Sequence, residues 1–230
     1  MVARARRGRS AAGRAELRRA LVATAVELFR TRGYDDTTID DIAAGAGVGR
    51  RTFFRYFRSK EDAISPDHEA ALARISEIFE SAHADEPVVS LVLRAGETVF
   101  DLYTDDPALS VRRFALTHEV PALRDRESAS VDHYRRLFTR QLRQRLTAQA
   151  DGELRAAVIG AAVVAAHNVA LRTWLAAGAP PDGYNACRER FRRVAGLLPV
   201  NEPRTSGSQQ LSAVARRLEQ AVGRLERSTP

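Results

Sequence analysis

Cysteine occurs once in the 230 residues, as Cys187. A lone thiol cannot close an intrachain disulfide, and it has no metal-ligand partner at useful spacing, so a disulfide scaffold is excluded and a reducing compartment is expected. Long hydrophobic runs are scarce as well. The longest stretch without a charged side chain, Ala156 to Leu171, includes His167 and Asn168 and ends at Arg172, short of the roughly 20 apolar residues that a bilayer span needs. No membrane span and no membrane partner are expected. The basic N-terminus runs into Glu16 and a charged helical pattern rather than an apolar core with a small-residue cleavage site, so it does not read as a secretory signal. A cytoplasmic protein is the expectation. Also missing are a Gly-rich phosphate loop, an H-x-x-x-H pair, a nucleophile elbow and a Cys/His constellation. Enzymatic chemistry has nothing to rest on, and no cofactor or metal is implied.

What is present in quantity is apolar surface and arginine. With 44% hydrophobic residues in 25.3 kDa, the chain can bury a substantial core. Its net charge of +7 is unevenly spread. Residues 1 to 60 hold thirteen arginines and Lys60 against six acids, a balance of +8, and residues 61 to 230 carry 22 basic and 23 acidic side chains, a balance of −1. A basic segment joined to a neutral body is the pattern expected of a nucleic-acid-binding head.

Apolar residues recur at helical spacing between Pro and Gly punctuation, with no convincing alternating strand, so the fold class is all-α. An Arg-rich arm (1 to about 13) precedes a first helix with Leu17, Leu21, Ala25 and Leu28 on one face, closed by Gly33. A short second helix is capped by Thr38 and turns Ile39, Ile42 and Ala43 inward. A third runs from about Arg50 to Phe57. Ser59 with Asp62 has capping-box spacing and should start a fourth, which Ser65-Pro66-Asp67 breaks or restarts. Further helices are expected near Val88 to Tyr103, Pro107 to Leu116, Ala122 to Ala148, Gly152 to Ala177 and Asp182 to Leu198. A linker, Asn201 to Ser208, leads to an amphipathic stretch with Leu211, Val214, Leu218, Val222 and Leu225.

The second and third helices meet the requirements of a helix-turn-helix. Ala43 supplies the small residue at the helix crossing, Gly47 four residues later supplies a turn able to take positive φ, and Val48, Phe53 and Phe57 lock the second helix inward. That leaves Arg50, Arg51, Phe54 and Arg55 outward. Arginine can pair bidentately with guanine, while Phe54 can touch only apolar surface such as a thymine methyl. Thr38, Thr52, Tyr56 and Lys60 lie where hydroxyl or ammonium groups can hold phosphates, and the helix N-termini near Thr38 and Gly49 add backbone donors. Double-stranded DNA is therefore the expected partner, with an architectural, nonspecific DNA-coating protein as the competing reading.

The stretch TTIDDIAAGAGVGRRTFFRYFRSKEDAI resembles the signature of TetR-family transcriptional regulators: a capped short helix, an A-x-x-x-G-V turn, an [ST]-F-[FY]-x-[YH]-F recognition helix, then S-K-E. The resemblance covers about Leu17 to Ile64. It implies an N-terminal three-helix DNA-binding domain (14–60), a C-terminal helical ligand-binding and dimerisation domain (61–200), and a linker with a further helix (201–230). It also implies base contacts from Arg50, Arg51 and Phe54, and phosphate contacts from Thr38, Thr52, Arg55, Tyr56 and Lys60. Two positions depart from the pattern: Gly49 stands where Ser or Thr is frequent, removing a hydroxyl, and Phe54 where tyrosine is common. Arg4, Arg6, Arg7 and Arg9 of the arm either enter the minor groove or add only nonspecific affinity.

The resemblance further implies a homodimer on a palindromic operator and a small-molecule effector that changes the separation of the two DNA heads. Acyl thioesters, which are ligands of some relatives, make an apolar effector the analogy. The helix Gly152 to Ala177 is rich in small apolar residues (Ala157, Gly160, Ala161, Val164, Ala165) that permit close approach from several sides. Polar or aromatic groups embedded in the later helices, namely Phe100, Tyr103, Phe114, His118, His167, Asn168, Arg172 and Trp174, are the candidate pocket residues. Packing and a satisfied core His-Asn pair are the alternative role for these groups. The stretch from Gln209 to Arg227 extends beyond the usual family length and could dock, form a short coiled coil, or fray.

Overall fold

The first helix needs a broad apolar stripe because it must serve three neighbours. A computed structural model describes residues 11–198; the arm arginines and the apolar stretch from Leu211 to Leu225 lie outside them. Helix α1 (Ala11–Arg32) packs on α2 (Ile39–Gly45) and on the 3-10 turn Asp62–Ile64 from one side, and on α7 (Pro107–Glu119) from the other. Its buried stripe is therefore Leu21, Val22, Ala25, Val26 and Phe29, with the expected Leu17 and Leu28 only partly covered. Gly33, at φ +92°, closes the helix with its N–H on the Phe29 carbonyl.

The short α2 forms because Thr38 and Asp41 satisfy each other's orphan donors. The Asp41 N–H donates to Thr38 Oγ1 at 3.1 Å, and Asp41 Oδ2 accepts from the Thr38 N–H at 2.9 Å. Gly47 turns the chain at φ +69°, outside the reach of most side chains, and the Val48 N–H returns to the Ala43 carbonyl at 2.9 Å. The recognition element α3 is α-helical only over Arg50–Phe53, shorter than the expected run to Phe57. Its continuation is tightened by i to i+3 bonds from the N–H groups of Arg55 and Tyr56 to Thr52 and Phe53, which bring Phe57 beneath Phe53.

Three other boundaries move for local reasons. The Asp62 N–H donates to Ser59 Oγ at 3.4 Å, but the Asp62 carboxylate accepts the N–H of Arg58 rather than that of Ser59, so only half of the capping box forms and only the 3-10 turn Asp62–Ile64 appears. After Pro66, Asp67 caps α4 (His68–Glu80) through the Ala70 N–H. The expected helix to Tyr103 splits into α5 (Val88–Glu97) and α6 (Asp101–Thr104). Thr98 donates its hydroxyl to the Ala95 carbonyl, and tightened bonds follow at Val99 and Phe100. The last helix among the described residues, α10 (Gly183–Arg192), tightens into a 3-10 turn over Arg193–Leu197.

Two long helices, α8 (Pro121–Leu146) and α9 (Gly152–Ala176), form the axis of the body, with α10 and α5 packed on α9 and α7 on α8. The backbones of α8 and α9 approach closely at Gly160, where a Cβ would sit 2.8 Å from Thr139 Oγ1. By length and composition α9 could cross a bilayer, which the count of uncharged residues did not anticipate. In this fold its apolar sides are divided: Ile159, Val163, His167, Ala170 and Trp174 face the bundle, while Leu154, Val158 and Val169 are 64%, 44% and 57% exposed. The head's own core continues into the body through Leu109, Leu116 and Leu123. Among the described residues there is no strand.

Candidate nucleic-acid interface and ligand cavity

The outward face of the head follows from what its inward face buries. Phe53 and Phe57 are enclosed with Leu21, Val22, Phe29 and Ile42, which fixes the roll of the recognition element and turns Arg50, Arg51, Phe54 and Arg55 to solvent. Phe54 is 45% exposed, a large apolar ring held in water. Thr52 and Tyr56 are half-buried at the edge of this face, and Gly49 caps it without a side-chain bond. Arg50 is oriented from two sides, by Asp40 at 3.0 Å and by the Phe54 ring, whose centroid is 5.3 Å from its guanidinium carbon. Arg51 and Arg55 have no ion pair among the described residues. Such an array can read bases with free guanidinium donors.

Two of the phosphate-holding candidates are committed inside the protein. The Thr38 hydroxyl works in the cap of α2, which leaves the helix N-terminus itself to meet an anion. Lys60, expected to offer its ammonium to a phosphate, instead donates from Nζ to the carbonyls of Tyr34 at 2.7 Å and Thr37 at 3.2 Å and lies 3.9 Å from the Tyr34 ring centroid. It braces the loop before α2, with one N–H left to point outward. Beside it, the Tyr34 hydroxyl donates to Glu61. Burial opposes the charge of Glu61, yet the bonds from Ser59 and Tyr34 outweigh it and hold the carboxyl below its usual range.

A cavity of about 60 Å³ lies where the head joins the body. Its walls come from the exit of the head (Glu61, Ile64, Pro66), from α6, α7 and α8, and from α9. Five of the eight sequence candidates line it: Tyr103, Phe114, His118, Asn168 and Arg172. His167 lines a smaller neighbouring pocket of about 20 Å³ together with Tyr103 and Asn168. Phe100 and Trp174 are packing residues. Phe100 stacks on His167 at 4.1 Å between ring centroids and meets Phe191 edge-on, and Trp174 donates its indole N–H to the Pro180 carbonyl at 3.0 Å.

The charged groups of this region escaped the sequence reading. Glu127 borders both pockets. Burial pushes its carboxyl up, but His68, 3.7 Å away, and the charge of Arg172 keep it ionised below the usual range. At that separation the His68 contact is electrostatic rather than a hydrogen bond; the other ring nitrogen of His68 pairs with the Tyr134 hydroxyl at 2.9 Å. Arg113 of α7 lines the cavity of about 60 Å³, flanked on the same helix face by Ser110 and Thr117. The spacing of these three polar residues, three and four apart among buried Leu109 and Leu116, was the available signal. Burial pushes His167 down to about 4, against the opposing influence of Asn168 and Glu127, so its ring is neutral at physiological pH. No group of three or more His, Cys, Asp or Glu is placed to hold a metal among the described residues.

Comparison with known proteins covers both halves of this arrangement. Residues 21–63 match the family model for bacterial regulatory proteins of the tetR family, and residues 86–199 match that for the MftR C-terminal domain. The mycofactocin biosynthesis transcriptional regulator MftR of Mycobacterium tuberculosis is 32% identical over 89 residues, 39% of this chain and 44% of that protein. The regulator TcmR of Streptomyces glaucescens is 33% identical over 114 residues, 45% of this chain and 48% of its own length. The chain thus matches less than half the length of each of these relatives. Among solved structures, a TetR-family regulator from Syntrophomonas wolfei superposes with a TM-score of 0.55 at 19% identity, covering 82% of this chain and 100% of that one. FadR of Bacillus subtilis, crystallised with stearoyl-CoA, gives 0.51 at 19% identity, covering 79% and 97%. These last two likenesses concern the fold.

Proposed function

Because the chain belongs to the TetR family of bacterial transcriptional regulators, we propose that it acts as a homodimeric repressor that a small-molecule effector releases from its operator. The observation that carries this reading is the outward set Arg50, Arg51, Phe54 and Arg55 on an element whose other side is anchored by Phe53 and Phe57. Arg50, Arg51 and Phe54 contact bases, and Thr52, Arg55, Tyr56, the remaining N–H of Lys60 and the α2 and α3 N-termini at Thr38 and Gly49 hold phosphates. Dimerisation is supported by the exposed stripe of α9, where Leu154, Val158 and Val169 alternate with exposed Ala157, Ala161 and Ala165. A contiguous apolar face of this kind costs free energy in water and is relieved when a second copy covers it by two-fold symmetry. Two heads then read two half-sites of an inverted repeat, in the cytoplasm where the chromosome lies.

The position of the cavity lined by Arg113 supports effector control. It is walled on one side by the exit of the head and on the other by α7, which packs directly on α1. A ligand that widens this space moves α7, and with it α1 and the head, away from the spacing that fits successive major grooves. Sequencing the DNA that the full-length protein selects from a random pool tests the reading. An inverted repeat that resists competitor DNA is expected. Selection of no motif, with binding that collapses steeply as salt rises, would instead indicate an architectural DNA-coating protein.

A further inference from the structure

We propose that the effector is a compact monocarboxylate, aromatic or short-chain, and that Arg113 binds its carboxylate in the cavity between the head and α7. This rests on the ligand-responsive reading above and adds the chemistry of the ligand. The guanidinium of Arg113 lines the cavity, its Nε is buried without a hydrogen-bond partner, and it has no ion pair among the described residues. Other part-buried arginines of the body have partners: Arg188 pairs with Glu97, and Arg145 donates to the carbonyls of Ala82 and His83. Arg113 departs from that rule at the place where a ligand would sit.

The carboxylates near the cavity are already engaged. Glu61 takes the Tyr34 hydroxyl, Glu127 faces His68, and Asp67 pairs with Arg18 at 3.7 Å. The Arg18 guanidinium adds a repulsion on Arg113, opposed by Tyr103 and by Asp106, whose carboxylate is engaged in capping α7 through the Leu109 N–H. Burial and Arg18 together bring Arg113 down to about 10, so it stays positively charged at neutral pH. A part-buried cation without an ion-pair partner is costly, and an incoming carboxylate lowers that cost with two parallel N–H···O bonds. Arg172 and Asn168 on the facing wall are further donors.

Size and the remaining walls narrow the class. About 60 Å³ is well below the ~150 Å³ of a cavity that takes benzene, so the body of the ligand is held to one ring or a short chain, and it enters by pushing α7 outward. The apolar walls, Ile64, Phe114, Leu123, Leu171 and Leu175, suit a hydrocarbon body. Glu127, held ionised on the same cavity, repels a second negative group, so a dicarboxylate is excluded from the preferred class.

Titration calorimetry of the full-length protein with benzoate, its neutral isostere benzamide, and the dianion phthalate tests the proposal. Benzoate is expected to bind at least about tenfold more tightly than either of the others, a difference of the size that charge-assisted bidentate pairing gives. Arg113→Gln should erase the preference for benzoate over benzamide, while Arg113→Lys, which keeps the charge, should retain part of it. Equal affinity for benzoate and benzamide in the native protein, no detectable benzoate binding, or an unchanged preference in a folded Arg113→Gln protein would overturn it. Operator selection without any ligand separates the two readings: if a motif is selected but benzoate has no advantage, only the carboxylate assignment fails.

Discussion

Acidification should destabilise this protein through one histidine. His167 is enclosed between Phe100, stacked at 4.1 Å, and Phe191, and its Nε2 has no partner. Burial holds its folded pKa at about 4, against 6.5 in the unfolded chain. The sign follows from which state takes up the proton. Below about pH 6.5 the unfolded chain binds it and the folded chain does not, so stability falls as pH drops and levels off only below about pH 4. Between about pH 7.5 and pH 4.5 linkage gives a loss of about 2.5 kcal/mol from this group alone. That is a sizeable part of the 5 to 15 kcal/mol, roughly, that holds a domain together. Urea unfolding at fixed protein concentration, at both pH values, would be compared between the native protein and His167→Gln. The variant starts lower because it loses the aromatic stack, yet its stability should fall by about 2.5 kcal/mol less over the same interval. If the two proteins lose stability in parallel, the burial argument for His167 is wrong.

Other expectations concern the head and the dimer face. Phe53→Ala removes a ring with no exposed surface and should cost about 3 to 5 kcal/mol in unfolding measurements, with operator binding lost alongside. Val158→Asp combined with Val169→Asp places charge on the exposed stripe of α9 and should convert a dimer to monomer by sedimentation velocity; a persistent dimer would move the interface elsewhere. Asp40→Ala breaks an exposed pair, so stability should change by less than about 1 kcal/mol. The released Arg50 should nevertheless show weaker base discrimination in binding to variant operators.

The head was legible in the sequence because its determinants are local. Thr38 and Asp41 cap a helix three residues apart, Gly47 sits at the required turn, and Phe53 and Phe57 are neighbours on one face. Local spacing is also why the outward arginines could be named. The cavity was only half legible, since embedded polar residues on α9 mark a site but do not say which neighbours face it. Glu127 looks like an ordinary surface charge in its own helix, and although Arg113 shares a polar face with Ser110 and Thr117, only the packing of α7, α8 and α9 brings the two to one cavity. Lys60 misled for the same reason. Its carbonyl partners at Tyr34 and Thr37 lie more than twenty residues earlier in the chain, and no local pattern announces them. Phe100 and Trp174 have the chemistry of pocket residues, but their side chains are spent in packing and in a bond to the Pro180 carbonyl.

The central claim is that the face carrying Arg51 reads base edges. The direct measurement is the binding of native protein and Arg51→Ala to the selected operator and to a set with each base pair changed in turn. The account predicts that the variant binds about tenfold or more weakly, a contact of about 1 to 3 kcal/mol, and no longer discriminates at one base pair in each half-site. Equal affinity with an unchanged pattern of preference would contradict it.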